Sequence, residues 1–204
     1  AIQIIPEVAK IASKLTVFQR RPNWAAPLNN AKIDKAEMAK IRARYDEIFA
    51  ACARTPGGFE HEPDRRGFYE VTPEERRELW DRLYDGPGFG IWLQNFVEIF
   101  TDENANAEFS AYIAERIRQR VKDPVLAEKL IPKDHGFGIQ RVPLETGYFE
   151  TYNRDNVELV SSKADPIKCI TEKGLRMTSG REFEFDVIVY ATGFDAFTGD
   201  RKSV

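Results

Sequence analysis

The chain has few residues of the kinds that hold metals or form cross-links. Its 204 residues include two cysteines, Cys52 and Cys169, and two histidines, His61 and His135. None of them stand at the spacing of a metal site, so we expect no metal. Because the two cysteines are far apart in sequence, we expect buried thiols of a cytosolic protein, with a disulfide as the alternative.

The sequence also lacks long apolar runs and a strong charge of either sign. No run of about 18 apolar residues occurs, and charged residues interrupt the first apolar segment, so neither a membrane span nor a secretory signal is expected. The formal net charge of −3 predicts no nucleic acid and no anionic membrane as partner. With 42% hydrophobic and 31% charged residues, the composition is that of a soluble globular protein, and we expect it to be cytoplasmic.

A third absence concerns glycine. No G-x-G-x-x-G motif occurs, although the chain opens on a helical pattern from Ile2 to Ala12 and continues into a strand pattern from Leu15 to Phe18. In a dinucleotide-binding unit such a helix follows a glycine-rich turn. We therefore expect that turn to lie before Ala1 and the chain to be an internal fragment.

The first strand pattern ends abruptly in Gln19, Arg20, Arg21 and Pro22. In a dinucleotide-binding unit, the end of the second strand faces the adenosine ribose, where an acidic residue suits NADH and an arginine suits the extra phosphate of NADPH. No acidic residue stands here, so this strand end predicts NADPH. The alternative is a solvated surface pair of arginines.

Helical spacing dominates residues 34–131. Asp34 is a predicted N-cap for one helix over residues 35–54, and residues 91–100 are apolar enough for a short buried helix. Further caps and apolar stripes predict helices in between and afterwards. We therefore expect an all-helical block over residues 34–131.

After residue 131 the pattern becomes extended. A glycine-punctuated loop over residues 132–141 precedes a predicted helix over residues 144–152 and a strand over residues 157–160. Residues 166–185 alternate as expected for a small antiparallel meander. The apolar run over residues 186–191 predicts a strand buried on both faces.

Four motifs in order resemble Baeyer-Villiger monooxygenases. They are Val17–Trp24, the loop Gly136–Arg141 with Pro143–Glu145, the turn Tyr152–Val157, and the closing segment Ala191–Asp195. The resemblance covers nearly the whole chain. It implies an α/β fold: a partial Rossmann-like NADPH-binding domain over residues 1–33 and 132–204, with residues 34–131 as a large helical insertion and a small antiparallel meander near the C-terminus.

The resemblance also implies an activity. Such enzymes use FAD and NADPH to insert one oxygen atom of dioxygen next to a ketone carbonyl, giving an ester or a lactone. Arg141 would be the catalytic arginine that stabilises a negatively charged intermediate and holds the nicotinamide, because a guanidinium keeps its charge in a water-poor site. The implied cofactor-binding residues are Gln19, Arg20, Arg21, Gln140, Thr192 and Gly193.

One departure from the family pattern concerns Gln140, where lysine is common. An amide brings no charge, so phosphate recognition is expected to depend more heavily on Arg20 and Arg21. The implied partners are a ketone, dioxygen and the missing FAD-domain segments of the same polypeptide, without which we expect no activity.

Several alternatives remain open from the sequence. The chain could belong to a flavin monooxygenase that oxygenates nitrogen or sulfur, or residues 34–131 could be a non-catalytic helical interaction module. Arg141 could form an ion pair with Glu145, four residues further on. His135 has no evident partner in the sequence, so we expect a loop histidine without an acid–base role.

Overall fold

The structure, a computed structural model, describes residues 1–55 and 57–192. The α-helices in this part of the chain are α1 (Ile4–Ile11), α2 (Lys35–Ala43), α3 (Tyr45–Arg54), α4 (Pro73–Asp85), α5 (Gly90–Leu93), α6 (Glu103–Arg120), α7 (Pro124–Leu130) and α8 (Tyr148–Thr151). The strands are β1 (Leu15–Gln19), β2 (Ala26–Pro27), β3 (Leu144–Glu145), β4 (Val157–Ser161), β5 (Ile167–Thr171), β6 (Gly174–Met177) and β7 (Glu182–Glu184).

Two short parallel pairs join the beginning of the chain to its later part. β1 lies beside β4 with Leu15 opposite Val157, and β2 lies beside β3 with Ala26 opposite Leu144. Parallel neighbours need a long crossover connection, and here residues 34–131 lie within it. In this parallel register the end of β1, at Gln19, lies opposite the end of β4, at Ser161.

Local sequence signals explain many of the helix boundaries. Thr72 accepts a hydrogen bond from the Glu75 backbone N–H, and the Glu75 carboxylate accepts one from the Thr72 N–H, which is a complete capping box. The side chains of Asp34 and Asp102 cap α2 and α6. In the described part of residues 34–131 the chain forms helices, 3-10 turns and loops, and no strand.

The main hydrophobic core joins the helical block to its flanks. Phe68, Trp80 and Phe109 from the block are buried in one cluster with Trp24 and Phe137 from the flanking segments. A smaller cluster packs the antiparallel sheet β5–β6–β7 against the β1–β4 pair through Leu175, Met177 and Phe183. The described chain is therefore a mixed helix-and-strand fold with one large core and one small one.

Three predicted helices differ from the structure. The helix expected over residues 35–54 is divided at Arg44, whose φ of −106° and ψ of 9° are not helical. Residues 91–100 contain α5 and a 3-10 turn over Val97–Phe100. Residues 144–152 contain β3 before α8, because Leu144 and Glu145 pair with β2.

Two predictions of burial are wrong. Residues 186–191 form no strand, and Val187 and Tyr190 are 76% and 72% exposed, since no other strand lies beside them among the described residues. Cys169 is exposed because it lies on β5, an edge strand of the meander on which four of the five residues are exposed, and Cys52 is half-buried. Both are free thiols.

Candidate functional site

The residues that follow β1 run alongside the residues that follow the glycine loop. The Trp24 indole N–H donates to the His135 carbonyl oxygen at 2.9 Å, and the Asn23 side-chain amide donates to the Arg141 carbonyl oxygen at 2.9 Å. The Ala26 N–H then donates to the Pro143 carbonyl oxygen at 3.1 Å, where β2 and β3 begin. These bonds bring the Arg20-Arg21 strand end and the Arg141 loop together, although more than 100 residues separate them in sequence.

Helix α6 holds the same loop from the other side. Phe137 is fully buried, and its ring meets that of Phe109 edge-on at a centroid distance of 4.9 Å. The Phe137 N–H donates to Ser110 Oγ at 2.9 Å, and its carbonyl accepts from Asn106 Nδ2 at 2.8 Å. The backbone four residues before Arg141 is thus fixed by both packing and hydrogen bonds.

The two glycines of this loop are required by its geometry. A Cβ at Gly136 would lie 1.7 Å from Asn106 Oδ1, so a larger residue cannot fit without displacing that side chain. Gly138 has a φ of +83°, and a Cβ there would lie 2.7 Å from the Phe100 ring. The glycines therefore allow the loop to lie close against the helical block.

The predicted site contains three arginines that differ in their surroundings. Arg20 and Arg141 are exposed, and their side chains have no hydrogen-bond or ion-pair partner among the described residues. Arg21 is 55% exposed, and its Nη1 lies 3.4 Å from Asp134 Oδ2, which is a loose contact. All three guanidinium groups can therefore bind an external anion without first breaking a strong ion pair.

The alternative ion pair between Arg141 and Glu145 is not formed. The Glu145 side chain is fully buried and accepts two hydrogen bonds from Arg120, at 2.7 and 3.2 Å. Arg120 also pairs with Glu150 and donates to the Tyr84 hydroxyl at 3.0 Å. The Arg141 side chain is consequently free of the acid that the sequence spacing offered it.

The remaining predicted cofactor-binding residues differ in whether they lie near the three arginines. The Gln19 amide donates to the Lys129 carbonyl oxygen at 2.8 Å, so it joins β1 to α7, and Gln140 is half-buried in the loop. Thr192 is exposed, and within residues 1–55 and 57–192 no hydrogen bond links it to the other predicted residues. Gly193 lies outside the described residues.

Sequence reasoning missed three polar residues at this place: Asn23, Asp134 and His135. His135 is not the unpartnered histidine that we expected, because its Nδ1 lies 2.7 Å from Asp134 Oδ1 and its Nε2 lies 3.2 Å from Asn23 Oδ1. The hydrogen bond with His135 holds the pKa of the Asp134 carboxyl below its usual range. No local signal marks the contact between Asn23 and His135, since the two residues are 112 apart in sequence.

The rest of the described chain contains a cleft away from the predicted site residues and no candidate metal site. A cleft of about 430 Å³ lies between α1 and α8, lined by Pro6, Leu144 and Arg154 among others, and it contains none of the predicted site residues. Within the described residues no three His, Cys, Asp or Glu side chains are grouped as a metal site would need. No helix in that part is both long and apolar enough to cross a membrane.

Comparisons with known proteins find monooxygenases. A 2-oxo-Δ3-4,5,5-trimethylcyclopentenylacetyl-CoA monooxygenase of Pseudomonas putida is 48% identical over 97% of this chain, and a Baeyer-Villiger monooxygenase of Pseudooceanicola batsensis is 39% identical over 98% of it. A crystal structure of OTEMO in complex with FAD and NADP superposes with a TM-score of 0.93, at 47% identity over 97% of this chain.

No protein-family model matches the chain. In each of these three comparisons the chain spans about 36% of the other protein's length. The comparisons therefore confirm the resemblance to Baeyer-Villiger monooxygenases that the four motifs predicted, over a stretch of about 36% of such a protein.

Proposed function

We propose that this chain is the NADPH-binding part of an FAD-dependent Baeyer-Villiger monooxygenase. Residues 1–33 and 132–204 would belong to a Rossmann-like domain, and residues 34–131 would be its helical insertion. The observation that carries the proposal is the pairing of the Arg20-Arg21 strand end with the Arg141 loop through Asn23 and Trp24. A shared site of this kind needs both segments at one place.

The chemistry of the three arginines fits the group they would hold. The adenosine phosphate of NADPH is a dianion near neutral pH, and arginine binds phosphate through two parallel N–H donors. Arg20 is exposed with no acceptor of its own in the described chain, and Arg21 has one loose contact. Gln19 uses its amide on α7, so it would contribute little to the phosphate.

Arg141 would act at the reacting centre. Its guanidinium would orient the nicotinamide and stabilise negative charge that develops during oxygen transfer. FAD, when bound, supplies the activation of dioxygen. The substrate would be a ketone, the product an ester or a lactone, and the remaining FAD-domain segments of a longer polypeptide would complete the site. We place this protein in the cytoplasm.

The test uses the complete polypeptide that carries this chain, with Arg20→Ala. We expect the Michaelis constant for NADPH to rise about 10- to 100-fold, the value of one charged hydrogen-bonding contact. The constant for NADH should change less than about twofold, because NADH lacks the phosphate. Arg65→Ala is the matched control, since Arg65 is a 90% exposed arginine on the helical block. Equal effects on both cofactors would remove the assignment.

The product distinguishes the remaining alternatives. With NADPH and dioxygen, a panel of cyclic and linear ketones should give lactones and esters, identified by mass spectrometry. Oxides of amines or sulfides with no ester from any ketone would favour a nitrogen- or sulfur-oxygenating enzyme instead.

A further inference from the structure

A chain of hydrogen bonds, which we call the Asn23–His135 bridge, connects Arg21 to the backbone of Arg141. Arg21 contacts Asp134, and Asp134 Oδ1 lies 2.7 Å from His135 Nδ1. His135 Nε2 lies 3.2 Å from Asn23 Oδ1, and Asn23 Nδ2 donates to the Arg141 carbonyl oxygen. The bridge therefore links the two arginines that the proposed function assigns to NADPH and to the reacting centre.

The donors and acceptors of the bridge determine where its protons are. Because the Asn23 NH₂ donates to a backbone carbonyl, the Asn23 oxygen must face His135. Nε2 of His135 must then carry a proton. Nδ1 faces the Asp134 carboxylate and must carry one as well. The observed arrangement thus requires His135 in its doubly protonated, cationic form.

The surroundings of the ring suit this form. The His135 side chain is 6% exposed, and the Trp24 indole holds its backbone carbonyl. The charged groups facing the ring among the described residues are Asp134, in direct contact, and Arg21 beyond it. The neighbouring Lys133 is paired with Glu128 on α7. The negative charge in contact with the ring therefore comes from Asp134.

We propose that His135 and Asn23 are positioning residues for Arg141: protonated His135 orients the Asn23 amide, and that amide holds the Arg141 backbone. The catalytic consequence rests on the proposed function, whereas the proton arrangement does not. A neutral His135 that keeps its proton on Nδ1 would present an Nε2 lone pair to the Asn23 oxygen. Turning the amide to repair that contact would set its oxygen against the Arg141 carbonyl. Because the Asp134 carboxylate favours the tautomer with the proton on Nδ1, the proton that is lost comes from Nε2, and its loss releases Arg141 in either orientation of the amide.

The proton arrangement is tested by NMR on the complete polypeptide with ¹⁵N-labelled histidine. The ring signals that disappear in His135→Gln belong to His135, and His61→Gln is the matched control. At pH 6 we expect two ring N–H protons on His135, both slowed in exchange with water by the burial of the ring. A single ring N–H at this pH would overturn the proposal, whatever reaction the enzyme catalyses.

Asn23→Asp separates the two halves of the bridge. The aspartate still accepts from His135 but cannot donate to the Arg141 carbonyl, so both His135 N–H signals should remain while Arg141 is released. We expect kcat to fall about 10- to 100-fold, as small misplacements of a catalytic group do, with the preference for NADPH over NADH kept. An unchanged kcat would overturn the positioning role. If the enzyme shows no oxygenation of any ketone, the proposed function fails and the NMR result still decides the bridge.

Discussion

Two arginines in this chain have opposite surroundings. The Arg120 side chain is 19% exposed and pairs with Glu145, Glu150 and the Tyr84 hydroxyl, so its pKa is raised by these hydrogen bonds despite the opposing effect of burial. Arg141 is exposed, its side chain has no acceptor in the described chain, and its backbone alone is held, by Asn23. The first arginine completes the fold, and the second is fixed in place while its charge stays available.

The comparison shows what an unpaired charge can indicate. The folded state depends on both members of a buried ion pair, because removing one partner leaves the other charge buried without compensation. Exposed arginines without partners are common on surfaces and carry no meaning alone. What distinguishes Arg141 is the combination of a free guanidinium with a backbone anchored through Asn23 and, four residues earlier, through Phe137.

The largest expected effect comes from breaking the paired member of the comparison. Arg120→Met removes both guanidinium donors of the fully buried Glu145 carboxylate and leaves it only the Tyr148 N–H, so the free energy of unfolding should fall by about 3–5 kcal/mol. Urea denaturation followed by circular dichroism measures this. Arg20→Ala, at an exposed and unpaired arginine, should stay within about 0.5 kcal/mol of the wild type. Similar losses in both variants would end the distinction.

The second prediction is a loss of turnover with no loss of folding stability. Arg141→Ala in the complete enzyme should lower kcat by about 10²- to 10³-fold, the usual cost of removing one donor that stabilises developing negative charge. Its unfolding free energy should change by less than about 0.5 kcal/mol, because the side chain has no partner to lose. Steady-state turnover of a ketone and urea denaturation give the two values. A stable variant with wild-type kcat would contradict the catalytic assignment.

The smallest expected effect concerns the ion pairs of Glu128, a half-exposed residue whose surroundings are intermediate between those of the buried Arg120 pairs and those of the unpaired Arg141. Arg118 and Lys133 donate to Glu128 and lower the pKa of its carboxyl to about 2 from an ordinary 4.5. The ion pairs thus add stability above pH 4.5 and lose it as the pH falls toward 2. Because the side chain is 44% exposed, we expect Glu128→Gln to cost no more than about 1 kcal/mol at neutral pH and low salt. Urea denaturation at pH 7 and at pH 3.5 should show the cost shrinking in acid, and a cost that grows in acid would have the wrong sign.

Elements that depend on neighbouring residues were predictable from the sequence. β1, β4 and the antiparallel meander are confirmed, and so is the capping box at Thr72 and Glu75. In each case the signal is local, an apolar period or a cap three residues from its partner. Boundaries that depend on distant neighbours failed: β3 replaces predicted helix because Leu144 pairs with Ala26.

The segment over residues 186–191 shows the opposite error. Its apolar composition predicted a strand buried on both faces, yet Val187 and Val189 are 76% and 58% exposed. An apolar composition indicates that a segment can be buried in a sheet. The burial itself requires neighbouring strands or helices that cover the segment. Such a neighbour is absent from the described residues.

The candidate site was predictable in part. The positions of Arg20, Arg21 and Arg141 came from motifs, and their roles remain predictions. The residues that join them did not come from motifs, because the Asn23 amide and the Arg141 carbonyl are 118 residues apart and nothing in either local sequence marks the pair. Hydrogen bonds of this range become visible only once the crossover has folded.

The contacts between α6 and the glycine loop have a consequence for the position of Arg141. Asn106 and Ser110 bond both sides of Phe137, and Phe109 packs against its ring. A substitution of Asn106 or Ser110 is therefore expected to displace the backbone that leads to Arg141, although neither residue touches the Arg141 side chain.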